Sequence, residues 1–267
     1  MRIDVALVPA EAKRWSGAVC VVVDELRASS MIVRLLEGGV NAVIPAASLA
    51  EARRLARRLG PATLLAGEHR VVRAPGFDLG NSPAEAMAAE VSGRTAVLST
   101  RNGTGVLRGL PAGTPAFIGC LLNATAVARA AFAQARATGA DLGIVCAGRR
   151  GTFAIDDAIA AGAILERVLH AAGVDDRGVV TADGRLDPRA PREPADTLVL
   201  TDAARAALHL WRTTPDVVAA FEASFSGHIL AAVGLLGDVA ASLPVDASGI
   251  VPILVPGTPP RIERREA

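Results

Sequence analysis

The sequence predicts a three-layer α/β/α sandwich with a mixed, mostly parallel sheet. Short apolar runs alternate with helical patterns at least five times, an order typical of parallel strands joined by helices. One run, residues 18–23, is apolar throughout, as in a strand buried on both faces. The 267 residues suffice for a substantial core, so we expect one domain over residues 1–267. If there are two lobes, the polar segment 174–194 is their expected boundary.

Eight short apolar runs are predicted as strands. They are rich in valine, isoleucine, leucine and alanine, and they are bounded by glycine, proline or polar residues. The predicted strands are residues 5–8, 18–23, 41–45, 63–66, 95–99, 115–119, 142–147 and 250–254. The last residues are rich in proline and charge, so 256–267 are expected to form a loose tail.

Helices are predicted where helical spacing of apolar residues lies between start and stop signals. Gly38 stops the first helix, and Ser48 with Glu51 starts the second in the manner of a capping box. Ser82, followed by a proline and then by Glu85, marks another start. The predicted helices are residues 29–37, 48–59, a helix from 82, 123–138, 156–169, 197–212 and 215–236.

Composition and charge exclude several classes of protein. A net charge of +1 gives no reason to expect a nucleic acid or an anionic membrane as partner. Lys13 is the single lysine, so a P-loop is excluded and Schiff-base chemistry is disfavoured. No apolar run reaches the ~18 residues of a membrane span, and the N-terminus does not read as a signal peptide. Widely spaced Cys20, Cys120 and Cys146 fit a reducing cytoplasm.

Five segments leave a predicted strand and at once present charged, hydroxyl or amide side chains. Loops that follow the carboxyl ends of parallel strands lie on one side of the sheet, and ligands bind there. We therefore expect the functional site at that edge. The segments are residues 24–30, 67–70, 76–83, 99–104 and 146–157.

Four carboxylates in these segments predict a magnesium site. Asp24 directly follows the run 18–23, where a charge is costly unless it is paired or bound to a metal. Glu68, Asp156 and Asp157 follow other predicted strands, and such hard oxygen ligands suit Mg²⁺ better than zinc. Other readings stay open. Asp24 can pair with an arginine or cap a helix, and Asp156 and Asp157 can simply complement a helix dipole.

Hydroxyl, amide and glycine residues of the same segments predict an anion pocket. Ser29 and Ser30, at a helix start, can offer hydroxyl and N–H groups to a phosphate, although N-capping explains either one alone. Two glycines bracket a loop whose Asp78 and Asn81 either face the pocket or satisfy the loop's own backbone. The residues that resemble an anion nest are Thr100, Asn102, Gly103 and Thr104.

Several familiar signatures are absent. Leu26 stands where the DxD pattern of haloacid dehalogenases needs its second aspartate. Cys20 lies seven residues before Arg27, one too many for the spacing of cysteine phosphatases. No GxGxxG follows a strand and no GxSxG elbow is present, so nicotinamide chemistry and a serine-hydrolase elbow have no support.

Taken together, the five segments resemble the 2-phosphosulfolactate phosphatase family. The most specific piece is the string Gly-Phe-Asp-Leu-Gly-Asn-Ser-Pro at residues 76–83. The likeness runs in the family's order through almost the whole chain. The supporting pieces are residues 24–30, 67–68, 102–104, 123–124, 146–148, 156–157 and 162, with weaker matches at 226–227, 238 and 251–252.

The resemblance implies an α/β/α fold and Mg²⁺-dependent hydrolysis of a phosphate monoester of a small sulfonated hydroxy acid. The product would be 3-sulfolactate, on the route to coenzyme M. Glu25, His69 and Arg101 depart from the family's usual residues and change the charge beside the expected pocket. Two alternatives therefore remain: a phosphatase for a different phosphorylated organic acid, and a non-catalytic binder of a small organic anion. A cytoplasmic location is expected, and a homodimer stays open.

The hypothesis gives each candidate residue a role. The assigned catalytic residues are Asp24, Arg27, Asp78 and Cys146, and the metal ligands are drawn from Asp24, Glu68, Asp156 and Asp157. Arg27 would hold the phosphate, and Asp78 or a metal-bound water would be base or nucleophile. Cys146 is a further candidate nucleophile, although packing is the commoner role of a strand-end cysteine. The substrate-binding set is Ser29, Ser30, Arg70, Asn81, Ser82, Thr100, Asn102, Gly103, Thr104, Asn123 and Gly148, with Arg101 or Arg149 as alternatives to Arg70 for a carboxylate or sulfonate.

Overall fold

Eleven strands form one mixed sheet in residues 1–174 and 198–265, the part of the chain that this computed structural model describes. In chain order the strands are β1 (Arg2–Ala6), β2 (Val19–Val23), β3 (Ala42–Ala46), β4 (Thr63–His69), β5 (Val72–Arg73), β6 (Thr95–Ser99), β7 (Ala116–Gly119), β8 (Leu142–Cys146), β9 (Val199–Leu200), β10 (Pro252–Val255) and β11 (Arg261–Arg264). Across the sheet their order is β5-β4-β6-β3-β11-β10-β7-β2-β8-β1-β9.

Two blocks of parallel strands make up most of this sheet. One block is β4, β6 and β3, and the other is β7, β2, β8, β1 and β9. The antiparallel β10–β11 hairpin lies between them and pairs with β3 and with β7. Three antiparallel pairings separate the two blocks. The strands of one block therefore run in the opposite direction to the strands of the other block. Within each block the parallel strands share one carboxyl edge, as expected.

Ten helices accompany the strands in the described part of the chain. They are α1 (Ser30–Glu37), α2 (Leu49–Leu59), α3 (Pro83–Ala88), α4 (Gly103–Gly109), α5 (Ala124–Thr138), α6 (Ile155–Ala171), α7 (Asp202–Arg212), α8 (Val217–Glu222), α9 (Phe225–Ala232) and α10 (Gly237–Ser242). Short helical turns occupy Pro9–Arg14, Glu25–Ser29 and Leu121–Asn123. In the two described ranges, none of the helices is both long enough and apolar enough for a membrane crossing.

Alternate residues of β2 show the three layers. Val19, Val21 and Val23 belong to a core shared with α5 and α6, whereas Cys20 and Val22 belong to a second core shared with α1. All five side chains are buried, so β2 is covered on both faces, as its unbroken apolar run predicts. A smaller third core packs α2 against β3 and β6. The predicted α/β/α sandwich with a mostly parallel, mixed sheet is confirmed.

Three expectations about elements differ from the structure. The expected tail 256–267 contains β11, whose Ile262 is fully buried between β10 and β3. The helix expected over 215–236 is divided, because the Ser224 side chain accepts the Gly227 N–H at 3.0 Å and starts α9. The helix expected from residue 197 begins at Asp202, after β9. From residue 175 onward, the lobe boundary expected at 174–194 lies outside the described residues.

The packing of α6 against α7 depends on Gly162. A Cβ atom at this position would overlap the backbone carbonyl oxygen of Ala207 and would lie 2.8 Å from the Cβ of Trp211. Real side chains do not approach a backbone so closely, so glycine is required for the two helices to meet at this distance.

Replacement of Gly162 by alanine should therefore destabilise the protein by about 1–3 kcal/mol, the usual cost of overpacking. The matched control is Gly105→Ala in α4, where an added Cβ meets no atom within 4 Å. That control should be neutral or stabilising by up to about 1 kcal/mol, because alanine favours helix. The midpoint of urea unfolding measures the stability of both variants, provided that the dependence of the unfolding free energy on urea keeps the same slope. Equal midpoints for the two variants would contradict this account of the α6–α7 contact.

Candidate active site

A cleft of about 980 Å³ collects residues that lie at or beyond the ends of strands in both blocks. Asp24 follows β2 and Gly148 comes after β8, whereas Glu68 belongs to the end of β4 and Thr100 follows β6. The charged and polar residues of its lining are Asp24, Arg27, Ser48, Glu68, His69, Arg70, Asn81, Ser99, Thr100, Arg101, Asn102, Thr104, Arg108, Arg149, Arg150, Asp156, Asp157 and Ser226. The structure thus brings all four predicted metal-binding carboxylates to one cleft.

Asp24 is fixed by the turn that follows β2. Its N–H donates to Ser29 Oγ at 2.9 Å, and its Oδ1 accepts the N–H of Ala28 at 3.3 Å. The carboxylate is 5% exposed. Burial is the main cause that raises the pKa of Asp24 to about 7, and the negative charges of Glu68 and Asp156 act in the same direction.

Asp156 and Asp157 lie side by side in the first turn of α6 but have different surroundings. Ser226 donates a hydrogen bond to Asp156 Oδ1 at 3.4 Å, and burial raises the pKa of Asp156 to about 6. Asp157 accepts the N–H of Glu25 on Oδ1 and the N–H of Gly148 on Oδ2, both at 2.8 Å. Asp157 therefore clamps the loops after β2 and β8 together, since each oxygen already has a backbone partner.

Glu25 is a fully buried carboxylate beside this cluster. Its Oε2 accepts the N–H of Leu121 at 2.9 Å, and the hydroxyl of Ser30 lies 3.4 Å from its Oε1. Burial raises its pKa well above the ordinary value of glutamate. Ser30 also donates to the Glu25 carbonyl, so this serine braces the turn and does not face the cleft.

Arg27 is held on both sides of its guanidinium. Nη1 donates to Asp238 at 2.6 Å, while Nη2 donates to the Val71 carbonyl at 2.6 Å and to Glu68 at 3.2 Å. Arg27 is 3% exposed and Asp238 is 1% exposed. Arg27 therefore fixes Glu68 and the segment after β4. It also lines the cleft, so its expected contact with a phosphate stays a prediction. Sequence reasoning gave Asp238 no role, because a single aspartate 211 residues from Arg27 carries no local signal.

Four arginines on the cleft wall form no ion pair within the described residues: Arg70, Arg101, Arg149 and Arg150. The pKa of Arg149 is lowered, first by burial and then by the positive charges of Arg150 and Arg101. Positive charge thus collects on the wall of the cleft while negative charge collects at Asp24 and Asp156. This arrangement suits a ligand with several acidic groups and a cation beneath one of them.

Seven predicted site residues lie outside the cleft lining, and three of them are Asp78, Cys146 and Asn123. Asp78 is exposed, and its Oδ2 accepts the N–H of Leu65 at 2.7 Å, so it satisfies the loop's own backbone. Cys146 is fully buried in the core, and burial raises the pKa of its thiol well above the ordinary value. Asn123 is also fully buried, and its Nδ2 donates to the carbonyl of Ile250 at 2.9 Å. These contacts are structural, and none of the three side chains lines the cleft.

The serines have structural roles as well. Ser29 is buried and accepts from the backbone of Asp24. Ser82 caps α3 by accepting the N–H of Glu85 at 3.1 Å and also donates to Asp238. The predicted helix start at Ser82 is confirmed, whereas the Ser29 side chain makes no capping hydrogen bond to α1.

Most of the remaining predicted binding residues line the cleft: Arg70, Asn81, Thr100, Asn102, Thr104 and Gly148. Asn81 is 4% exposed, and its Oδ1 has no hydrogen-bond partner in the described residues. The Thr104 hydroxyl donates to the Thr100 carbonyl at 2.8 Å, and Asn102 Oδ1 accepts the N–H of Arg150 at 3.3 Å. Gly103 lies against Asp24: a Cβ there would come 2.8 Å from its Oδ2. The segment 100–104 therefore packs onto the carboxylate.

The carboxylates of the cleft are the groups that could bind a metal ion. In residues 1–174 and 198–265, no three His, Cys, Asp or Glu side chains converge as a ready-made metal cage. Magnesium, however, usually binds through one or two carboxylates and keeps several waters. Asp24 and Asp156 fit that pattern, since both are buried in one cleft and repel each other.

Comparison with known proteins first gives the class. Relatives named probable 2-phosphosulfolactate phosphatase include one from Deinococcus radiodurans, 37% identical over 240 residues, covering 90% of this chain and 88% of the relative. Another, from Thermus thermophilus, is 34% identical over 255 residues, covering 95% and 94%. The chain is therefore a phosphoric monoester hydrolase.

The family follows from a second comparison. The family model for 2-phosphosulpholactate phosphatase matches residues 6–257. The chain therefore belongs to this family, and the resemblance noted in its sequence is confirmed.

Mutation can distinguish a structural role of Asp157 from a role as a metal ligand. Asp157→Ala would leave two buried N–H groups without an acceptor, so it should destabilise the protein by about 2–5 kcal/mol. Asp157→Asn keeps one acceptor and should cost about half as much. Chemical denaturation measures both variants. Unchanged stability of Asp157→Ala together with loss of activity would assign Asp157 to catalysis instead.

The raised pKa values predict a pH dependence for the metal-free protein. Between the ordinary value of 3.8 and the raised values of about 7 for Asp24 and about 6 for Asp156, the folded chain binds more protons than the unfolded chain. This contribution to stability is present at low pH and is lost as the pH rises through that window. The melting temperature in chelator should therefore fall between about pH 4 and about pH 7. In Asp24→Asn the melting temperature should fall less steeply with pH. An equally steep fall in that variant would contradict the assignment of this pH dependence to Asp24.

Proposed function

We propose that this protein hydrolyses 2-phosphosulfolactate to 3-sulfolactate and inorganic phosphate, with Mg²⁺ as cofactor. The observation that carries the proposal is the single cleft in which buried Asp24 and Asp156 face arginines that form no ion pair in the described residues. The substrate's phosphate, carboxylate and sulfonate groups match these charges. Family membership and the names of the relatives support the same substrate.

Asp24 and Asp156 would hold the magnesium ion, with Glu68 near enough to Asp24 to add to its charge. When bound, Mg²⁺ offsets the charge of the phosphoryl oxygens. Asp157 is left out of this set, because backbone N–H groups occupy both of its oxygens. Arg27 acts indirectly by holding Glu68 in place.

The reaction needs water, a positioned phosphate and a route for one proton. Water attacks phosphorus, the bond between phosphorus and the ester oxygen breaks, and that oxygen leaves as the hydroxyl of 3-sulfolactate after gaining a proton. Water is the proposed nucleophile, because the Cys146 thiol is sealed in the core and Asp78 lies outside the cleft. Arg70 and Arg101, which form no ion pair in the described residues, can offer forked hydrogen bonds to the substrate's acidic groups.

Asp24→Asn is the sharpest test of the metal role. The variant keeps an oxygen that accepts the Ala28 N–H but loses the charge, so phosphate release should fall by about 10²–10⁴-fold while the fold persists. The measurement is Mg²⁺-dependent phosphate release alongside the melting temperature. Asp78→Asn is the matched control and should keep its activity, because this aspartate lies outside the cleft. More than about a tenth of wild-type activity in Asp24→Asn would refute the role.

Two measurements distinguish the proposed function from the two alternatives, a simple anion binder and a phosphatase for another acid. They are the dependence of phosphate release on Mg²⁺ and the choice of substrate. Chelation should abolish phosphate release and added Mg²⁺ should restore it, whereas a simple anion binder would bind 3-sulfolactate equally well with and without the ion. A panel of phosphorylated organic acids, assayed for kcat/KM, tests the substrate. A different acid turned over much faster than 2-phosphosulfolactate would overturn the substrate assignment and leave the reaction type intact.

A further inference from the structure

Phe225 is a large apolar residue that is exposed beside two residues of the cleft lining, Ser226 and Arg149. It is the first residue of α9, and 64% of its surface is exposed, more than any other large hydrophobic residue in the described part of the chain. Its ring has one specific neighbour: the guanidinium carbon of Arg149 lies 4.0 Å from the ring centroid. This distance is well within the range of a cation–π contact.

The backbone of Arg149 is held rigidly. Arg149 and Thr152 exchange backbone hydrogen bonds of 2.9 and 3.0 Å, and the two residues between them have left-handed backbone angles, as in a tight hairpin turn. The preceding Gly148 is tied to Asp157 by its N–H. A long arginine side chain on a fixed backbone still has many rotamers, so a ring that stacks on its guanidinium decides where the charge lies.

The start of α9 is fixed relative to the metal-binding side of the cleft. Ser224 caps the helix by accepting the Gly227 N–H, and the Ser226 hydroxyl donates to Asp156. One turn of α9 thus touches Asp156 through Ser226 and Arg149 through Phe225. The turn sets the separation between the carboxylate and the guanidinium.

Arg149 is available to a ligand. It lines the cleft and forms no ion pair in the described residues, and the charges of Arg150 and Arg101 lie close enough to lower its pKa. Three cations on one wall repel one another, and an anion with spread charge would relieve this repulsion. The planar guanidinium fork fits two oxygens of a carboxylate or a sulfonate.

We propose that Phe225 is a positioning residue that holds Arg149 over the cleft, so that Arg149 binds an acidic group of the substrate other than its phosphate. The inference rests on the proposed function, whose substrate carries such groups. Phe225 would thus affect substrate specificity without touching the substrate. Hydrolysis of the phosphate ester itself does not depend on Phe225.

Phe225→Ala should raise KM for 2-phosphosulfolactate by about two- to fivefold, the worth of a cation–π contact. The value of kcat should change much less. Phenyl phosphate, which has no second acidic group, should show little change in KM. Phe225→Tyr keeps a ring and should restore the wild-type KM. The matched control is Val218→Ala on α8, an exposed apolar residue that does not line the cleft.

A double-mutant cycle tests the coupling. Arg149→Ala should raise KM for 2-phosphosulfolactate by about tenfold or more, the worth of charge-assisted hydrogen bonds. The double variant should resemble Arg149→Ala alone, because Phe225 acts only through Arg149. Additive effects of the two substitutions, or an equal rise in KM for phenyl phosphate, would overturn the inference.

Binding measurements keep the test independent of turnover. Calorimetry should show that Phe225→Ala weakens binding of 3-sulfolactate and leaves binding of inorganic phosphate nearly unchanged. An equal loss of affinity for both ligands would contradict the inference even if the enzyme is active. A wild-type protein that releases no phosphate from any acid would refute the proposed function, and the calorimetric comparison would still decide the role of Phe225.

Discussion

The repulsion between two buried carboxylates, Asp24 and Asp156, is the constraint on which the site depends. Both side chains are removed from water, and neither forms an ion pair in the described residues. The buried guanidinium of Arg27 does not neutralise them, because it is held by Asp238 and Glu68. Negative charge at this place is therefore left for protons or for a cation to balance, and the arginine wall opposite is left for an anion.

The parts of the structure that sequence could predict are those with local signals. The unbroken apolar run of β2 predicts a strand covered on both faces, and the charged residue that ends it, Asp24, lies in the cleft. Ser82 with the following proline predicts the start of α3, which the structure confirms. A carboxylate that directly follows a buried strand is conspicuous in sequence because a charge is rare there.

Contacts between distant residues could not be predicted. Arg27 has the same local sequence whether it faces a phosphate or Asp238, and only the folded chain decides. Cys146 ends β8 and Asp78 lies in the loop after β5, yet the Asp78 side chain accepts the Leu65 N–H and the Cys146 side chain is in the core. β11 has a charged, tail-like sequence, and Ile262 is buried only because β3 and β10 lie on either side. Phe225 gives no signal at all until its ring is seen beside Arg149.

The central place of the β10–β11 hairpin has a consequence for synthesis on the ribosome. β3 and β7 emerge long before residues 252–264, and each then has an unpaired edge that only the hairpin covers. Open edges of this kind recruit strands from other chains. Since domains are made from the N-terminus at roughly 5–20 residues per second, the nascent protein passes through an interval of several seconds or more with two exposed edges. Chaperone demand and loss to aggregation should therefore be governed by how fast the second half of the message is translated.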